Sequence, residues 1–205
     1  MKKTKIVIFK ISFILVFSSL FFGGCISLTK ELPAYKTYSL EYKKDNTSSK
    51  YFDKTIQVLE PKALESINSE AITYSKDDFS KEKYALNRWS DKPSKMLQRT
   101  IASYLTSKNS YKYITSSNIK VKSDFKIVSQ LVDFNHTFTK NSSYADFSIR
   151  VYLINNHNQK VFFKSFTYTK RTSTNNAKGL VKTMNEVNNI FLSDLNTFVQ
   201  SVLNK

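Results

Sequence analysis

The sequence predicts an α+β fold, in which one mostly antiparallel sheet carries two main helices packed on one face. Alternating apolar and polar residues, typical of strands, recur from residue 35 to 90 and again from 111 to 170. Apolar residues spaced by three or four, typical of helices, follow each of these strand regions. The order of the predicted strands and helices contains no βαβ repeat, and this order predicts the α+β class.

The first half of the chain is predicted to contain four strands and one helix. Aromatic and β-branched residues indicate strands at 35–42, 54–61, 71–75 and 83–90. Pro61 ends the pairing of the second strand. A helix follows, with Ser90 or Asp91 as its cap and Pro93 in its first turn. The apolar face of this helix is therefore expected to pack against a sheet.

The second half is predicted to be a strand meander closed by a long helix. Strands are indicated at 111–116, 124–139, 145–154 and 161–170, and a polar turn at 155–160 joins the last two. The side-chain alternation changes parity within the second of these strands, which predicts a bulge near residues 129–131. The closing helix opens near residues 174–177, and its apolar stripe comprises Leu180, Met184, Val187, Phe191, Leu195, Phe198 and Val202.

The N-terminal residues predict a lipoprotein signal peptide at residues 1–24. A lysine-rich start precedes an apolar run from residue 11 to 22, shorter than the roughly 18 residues of a membrane span. The sequence Phe22-Gly23-Gly24-Cys25 resembles the bacterial lipobox, which implies cleavage between Gly24 and Cys25 and attachment of diacylglycerol to Cys25. A free cysteine after an uncleaved helix is the alternative. Residues 25–34 then form a tether, and residues 35–205 form a single domain.

The composition is strongly basic. The formal charge is +16, and removal of the four lysines of the signal peptide lowers it to +12. Such a charge suggests anionic partners, and export argues against nucleic acid, which leaves phospholipid head groups, lipopolysaccharide or an acidic protein. A lysine- and asparagine-rich composition typical of an AT-rich genome is the alternative explanation.

The sequence offers little for catalysis or for cofactors. His136 lies in a strand pattern and His157 in a polar turn, and neither has a local nucleophile or acidic partner. Gly179 is the single glycine outside the signal region, so no phosphate-binding glycine loop is present. We therefore predict no enzyme activity, no metal and no cofactor. A periplasmic hydrolase is the competing hypothesis, and it requires a pocket with a histidine beside carboxylates.

One group of features resembles a known family. Arg88-Trp89-Ser90, Pro93 and Met96-Leu97, followed by the hairpin region 131–171, are similar to the signature of the ABC-type transport auxiliary lipoproteins, the PqiC-like family. Arg88, Trp89 and Pro93 are therefore candidate core or partner-contact residues. Asparagines stand in the last helix where the family favours alanine, which leaves its close packing against the sheet open.

The resemblance implies a non-enzymatic lipoprotein that works with an ABC permease, an ATPase and an MCE-domain lipid-binding protein in lipid traffic between two membranes. Cys25 would anchor it at the periplasmic face of the outer membrane, and phospholipid and a second copy of the chain are further candidate partners. A lipopolysaccharide-binding assembly lipoprotein, or a surface adhesin with a lysine-rich face, is the alternative function.

Overall fold

The structure, a computed structural model, describes residues 34–44, 50–76, 79–116 and 121–204. The predicted signal peptide, Gly24, Cys25 and the tether up to residue 33 lie outside these ranges. The α+β class is confirmed, because a curled sheet is combined with two helices. The helices are α1 (Pro93–Ser107) and α2 (Ala177–Leu203), and a short 3-10 turn spans Glu65–Ile67. The strands are β1 (Lys36–Tyr38), β2 (Phe52–Val58), β3 (Lys62–Ala63), β4 (Ala71–Ser75), β5 (Glu82–Trp89), β6 (Tyr111–Ser116), β7 (Phe125–Phe138), β8 (Ser143–Asn155) and β9 (Val161–Arg171).

The long strand β7 organises the sheet. Along one edge it pairs with β8, which pairs in turn with β9, and these two ladders are antiparallel and run the length of the strands. Along its other edge β7 pairs in succession with β2, β3 and β4, each in parallel. The sheet extends from β2 to β6 and from β4 through β5 to β1. The longest ladders are thus antiparallel, and short parallel pairings make the sheet mixed.

A bulge in β7 allows both of its halves to contribute to the core. The register with β8 shifts between Leu131 and Asp133, close to the predicted position. Val132 is the extra residue, and its side chain is 39% exposed. The shift places Phe134 opposite Phe147 and His136 opposite Ala145, which both point inward. The bulge therefore explains why the inward-facing residues of β7 are odd-numbered before Val132 and even-numbered after it.

The two helices cover the core of the sheet. Helix α1 contacts β6 and β2, helix α2 contacts β8 and β9, and the helices touch each other. At the centre, the ring of Phe191 lies 5.2 Å from that of Phe147 and 5.4 Å from that of Phe166. Phe191 is fully buried, so the asparagines of α2 do not loosen its packing on the sheet. No helix among the described residues is both long and apolar enough to cross a membrane.

The helix starts refine two predictions. The N-cap of α1 is Lys92, so the prediction of Ser90 or Asp91 is wrong; Asp91 instead accepts a hydrogen bond from the Lys92 N–H at 2.8 Å. At α2, the Asn176 side chain caps the Gly179 N–H at 2.9 Å. A Cβ atom on Gly179 would lie 2.1 Å from the Thr174 carbonyl oxygen, so close packing explains this glycine.

Candidate functional site

The chain enters the domain through an extended strap, which we define as residues 36–43. Its first part is β1, which pairs in parallel with the end of β5 so that Thr37 lies beside Arg88 and Tyr38 beside Trp89. The Ser90 N–H also donates a hydrogen bond to the Tyr38 carbonyl oxygen at 2.7 Å. The residues of the Arg-Trp-Ser sequence therefore hold the segment that follows the predicted tether.

Trp89 and Pro93 are buried, whereas Arg88 is exposed. The Trp89 side chain is 2% exposed and its ring lies 5.3 Å from that of Phe134. Pro93 is the first residue of α1, where a missing N–H costs nothing. These positions make Trp89 and Pro93 parts of the core.

Arg88 contacts the strap from the surface. Its guanidinium group lies 5.2 Å from the ring centre of Tyr35, and its Nε donates to the Thr37 hydroxyl at 3.5 Å. A cation over an exposed aromatic ring contributes about 0.5–1 kcal/mol. Arg88 thus adds a modest stabilisation of the residues at the start of β1.

Three asparagines of α2 hold the second part of the strap. Asn185 accepts from the Glu41 N–H at 2.7 Å and donates to the Ser39 carbonyl oxygen at 3.2 Å. Asn188 donates to the Glu41 carbonyl oxygen at 3.1 Å, and Asn189 accepts from the Lys43 N–H at 2.6 Å. Side-chain amides here replace a strand as the partners of an extended backbone. We call this set the asparagine clamp.

The sequence reasoning missed the asparagine clamp, although a signal was present. Asn185, Asn188 and Asn189 are spaced by three and one, which places them on one face of a helix. Amide side chains beside an apolar stripe commonly face water, and they can equally pair with a backbone segment that lies there. The partner itself is about 145 residues away in the sequence.

We predict that Asn185→Ala lowers the free energy of unfolding by about 1 kcal/mol. Two hydrogen bonds to the strap are lost, each worth about 0.5–1.5 kcal/mol net, and the better helix propensity of alanine offsets part of the loss. Hydrogen exchange should show faster exchange of the Glu41 amide. Asn189→Ala is the matched control, because it should expose the Lys43 amide instead. Unchanged exchange at Glu41 in Asn185→Ala would contradict the clamp.

His136 is buried in the core beside tyrosine and phenylalanine rings. Its Nδ1 lies 2.8 Å from the Tyr84 hydroxyl, its ring centre lies 4.5 Å from that of Phe138, and the side chain is fully buried. The Nε2 atom is buried with no hydrogen-bond partner among the described residues. Burial lowers the pKa of His136 to about 4 and raises the pKa of Tyr84 to about 12. Both groups are therefore neutral at pH 7.

The neutral His136 makes stability depend on pH. Between about pH 6.5 and about pH 4, the unfolded chain binds a proton on this residue and the folded chain does not, so stability falls as the pH falls. The loss over this window is roughly 3 kcal/mol. In His136→Phe, the free energy of unfolding measured with urea should depend less on pH across this window. An equal dependence on pH in His136→Phe and the wild type would contradict this assignment.

His157 has an acidic partner that is distant in the sequence. Its Nε2 lies 3.0 Å from Oδ1 of Asp124, whose Oδ2 accepts from the Thr55 N–H at 2.8 Å. Burial acts to raise the pKa of the Asp124 carboxyl, but the hydrogen bonds from Thr55 and His157 outweigh it and the pKa is lowered. The pair joins the β8–β9 turn to the residue before β7, and Asp124 in turn accepts from β2. The His157 side chain is 57% exposed.

The surface grooves of the described residues include the following two. One, of about 450 Å³, lies between α1, β6 and Tyr42, and the other, of about 480 Å³, lies between α2, β9 and the end of the strap. Neither of these two grooves is lined by a histidine, which the hydrolase hypothesis requires. The described residues also include no cluster of three His, Cys, Asp or Glu side chains able to hold a metal ion.

Solved structures share this fold. Protein XCC0632 from Xanthomonas campestris, described by the family model DUF330, is 15% identical, and the match covers 78% of this chain and 92% of that chain with a TM-score of 0.71. A crystal structure of an uncharacterized protein is 11% identical, with 81% and 99% covered and a TM-score of 0.66. At such identities the likeness extends to the fold alone. No curated protein matches the sequence.

A family model covers the domain that carries the strap and its contacts. The model for the ABC-type transport auxiliary lipoprotein component matches residues 38–193, which include Arg88, Trp89, Pro93 and the asparagine clamp. This is more than half of the chain and agrees with the family resemblance seen in the sequence. The chain belongs to the family of ABC-type transport auxiliary lipoprotein components.

Proposed function

We propose that this lipoprotein is a non-enzymatic binding component of an ABC and MCE-type system that moves lipid between two membranes. Cys25, exposed by cleavage after Gly24, carries the lipid and anchors the protein at the periplasmic face of the outer membrane. Residues 25–34 form the tether, and residues 35–205 form one domain that docks a partner. The family match and the lipobox-like residues 22–25 support this proposal.

The strap gives the anchor a firm attachment to the domain. The segment after the tether is joined to β5 by backbone pairing and to α2 by the asparagine clamp. Force applied through a lipid anchor therefore meets hydrogen bonds to two separate elements of the core. Such an attachment suits a protein that holds a large membrane complex in place.

The outer face of the β7–β9 meander carries the observation that best supports a docking role. Val128, Tyr152 and Phe163 lie side by side across the three strands, and Val161 lies in the next row. The Tyr152 and Phe163 rings are 5.0 Å apart, and Phe163 and Val161 are 54% and 53% exposed. We call Val128, Tyr152, Val161 and Phe163 the outer patch. Neighbouring exposed aromatic and branched residues are typical of protein interfaces.

The other half of the same face is polar. Ser148 and Thr167 lie side by side there and share a hydrogen bond of 3.1 Å. The contrast along one strand separates an apolar docking area from a solvated area. We propose that the outer patch contacts the MCE-domain protein or the permease of the system.

Site-specific photo-crosslinking tests this proposal. A benzoylphenylalanine at position 163 of the lipidated protein should capture an MCE-domain protein or an ABC permease, identified by mass spectrometry. The same residue at position 167, on the same strand and face, is the control and should capture much less. Equal capture at both positions, or adducts with lipopolysaccharide alone, would contradict the proposal and, in the second case, favour the alternative function.

A further inference from the structure

The groove between α2, β9 and the strap is basic. Its lining contains three lysines and one glutamate, together with Asn185, Asn189 and Ile190; the charged residues are Lys43, Lys170, Lys182 and Glu186. These lysines come from the strap, from β9 and from α2. Three elements of the fold therefore bring positive charge to one depression of about 480 Å³.

One lysine of the groove is neutralised and two are not. Lys170 forms an ion pair with Glu186 at 2.9 Å, and the hydrogen bond from Lys170 is the main cause that lowers the pKa of the Glu186 carboxyl. Among the described residues, the ammonium groups of Lys43 and Lys182 form no ion pair or hydrogen bond, although both lie near enough to Glu186 to lower its pKa further. The lining therefore carries an excess of two positive charges.

The backbone around these lysines is fixed. The N–H of Lys43 donates to Asn189 at 2.6 Å, so the asparagine clamp holds this lysine at the groove. Lys182 and Glu186 lie one turn apart on α2, and Ile190 lies one turn further along. The Ile190 side chain is 44% exposed. Two ammonium groups that share one carboxylate with Lys170 are thus placed beside an apolar side chain.

We propose that this groove binds the anionic head group of a phospholipid. Lys43 and Lys182 contact the phosphate, Ile190 and the lysine methylenes contact the glycerol and the first acyl carbons, and Glu186 keeps Lys170 out of the contact. Free phosphate shares the same anion chemistry but would leave Ile190 unused. The inference does not depend on the partner protein proposed above.

Titration of the lipidated protein in non-ionic detergent tests the groove. The probes are dihexanoyl phosphatidylglycerol, dihexanoyl phosphatidylcholine and inorganic phosphate. Binding is measured by calorimetry and by the NMR amide signals of Lys43, Lys182 and Ile190. We expect the phosphatidylglycerol to bind most tightly and to shift these three signals. Equal binding of the phosphatidylcholine would overturn the anion requirement, and equal binding of inorganic phosphate would overturn the lipid assignment.

Charge-matched variants separate the groove from the overall basic charge. Lys43→Gln with Lys182→Gln should weaken phosphatidylglycerol binding about tenfold, as expected for the loss of two exposed ion pairs. Lys62→Gln with Lys83→Gln changes the net charge equally, on exposed strand positions, and should leave binding unchanged. Glu186→Gln should tighten binding by freeing Lys170, whereas Glu65→Gln should not. If the two lysine double variants, or the two glutamate variants, changed binding equally, the lipid would be attracted by the overall charge of the protein, and the proposed site would be wrong.

Discussion

Replacement of Cys25 by serine is expected to abolish lipid attachment and to leave the domain folded. In the proposed lipidation the Cys25 thiol is the nucleophile that takes up the diacylglycerol, and a serine hydroxyl is far less nucleophilic near neutral pH. The chain has no second cysteine, so the substitution removes no internal disulfide bond. Incorporation of labelled palmitate, together with the mass of the mature chain, measures the loss.

Processing supplies the control for this prediction. Globomycin should cause the unprocessed wild-type chain to accumulate, and Ser27→Ala should be lipidated and processed normally. The circular dichroism of the Cys25→Ser chain should match that of the wild type. If neither globomycin nor Cys25→Ser changes processing, the lipoprotein assignment of Cys25 is wrong.

Replacement of Trp89 by alanine is expected to lower the free energy of unfolding by about 3–5 kcal/mol. The side chain is 2% exposed and packs against Phe134, so its removal leaves a cavity where the core meets the strap. The loss is a large share of the about 5–15 kcal/mol that stabilises a typical domain. Urea unfolding, followed by circular dichroism, measures it.

Two neighbouring variants sharpen this test. Trp89→Phe keeps a ring in the site and should cost clearly less than the alanine variant. Arg88→Ala, on the exposed side of the same strand, should cost about 1 kcal/mol or less, because an exposed cation–π contact and a long hydrogen bond to Thr37 are lost. Near-wild-type stability of Trp89→Ala, combined with loss of partner binding, would instead make Trp89 an interface residue.

Strong alternation predicted most of the strands. Residues 71–75 and 111–116 form strands with the predicted bounds, and the meander follows the predicted order with a bulge close to the predicted place. The first strand is shorter than predicted because residues 39–43 bond to asparagines of α2 rather than to a strand. The two-residue β3 was missed, since only two residues pair after Pro61. Periodicity over several residues cannot indicate so short a pairing.

The candidate sites were predicted less completely than the fold. The family resemblance pointed to Arg88, Trp89 and Pro93, and the structure adds that two are buried and one is exposed. The basic groove could not be predicted, because Lys43, Lys170 and Lys182 meet only when the strap, β9 and α2 are folded together. The net charge suggested an anionic ligand but did not indicate where on the protein it would bind. The location depends on contacts between residues far apart in the sequence.

The proposed role in transport depends on which proteins bind the lipidated protein in the membrane. Purification of the tagged, lipidated protein from detergent-solubilised membranes, followed by quantitative mass spectrometry, tests it most directly. We predict enrichment of an ABC permease, its ATPase and an MCE-domain protein, with loss of that enrichment in Cys25→Ser. Enrichment of lipopolysaccharide-assembly proteins instead, or of no transport component, would contradict the account.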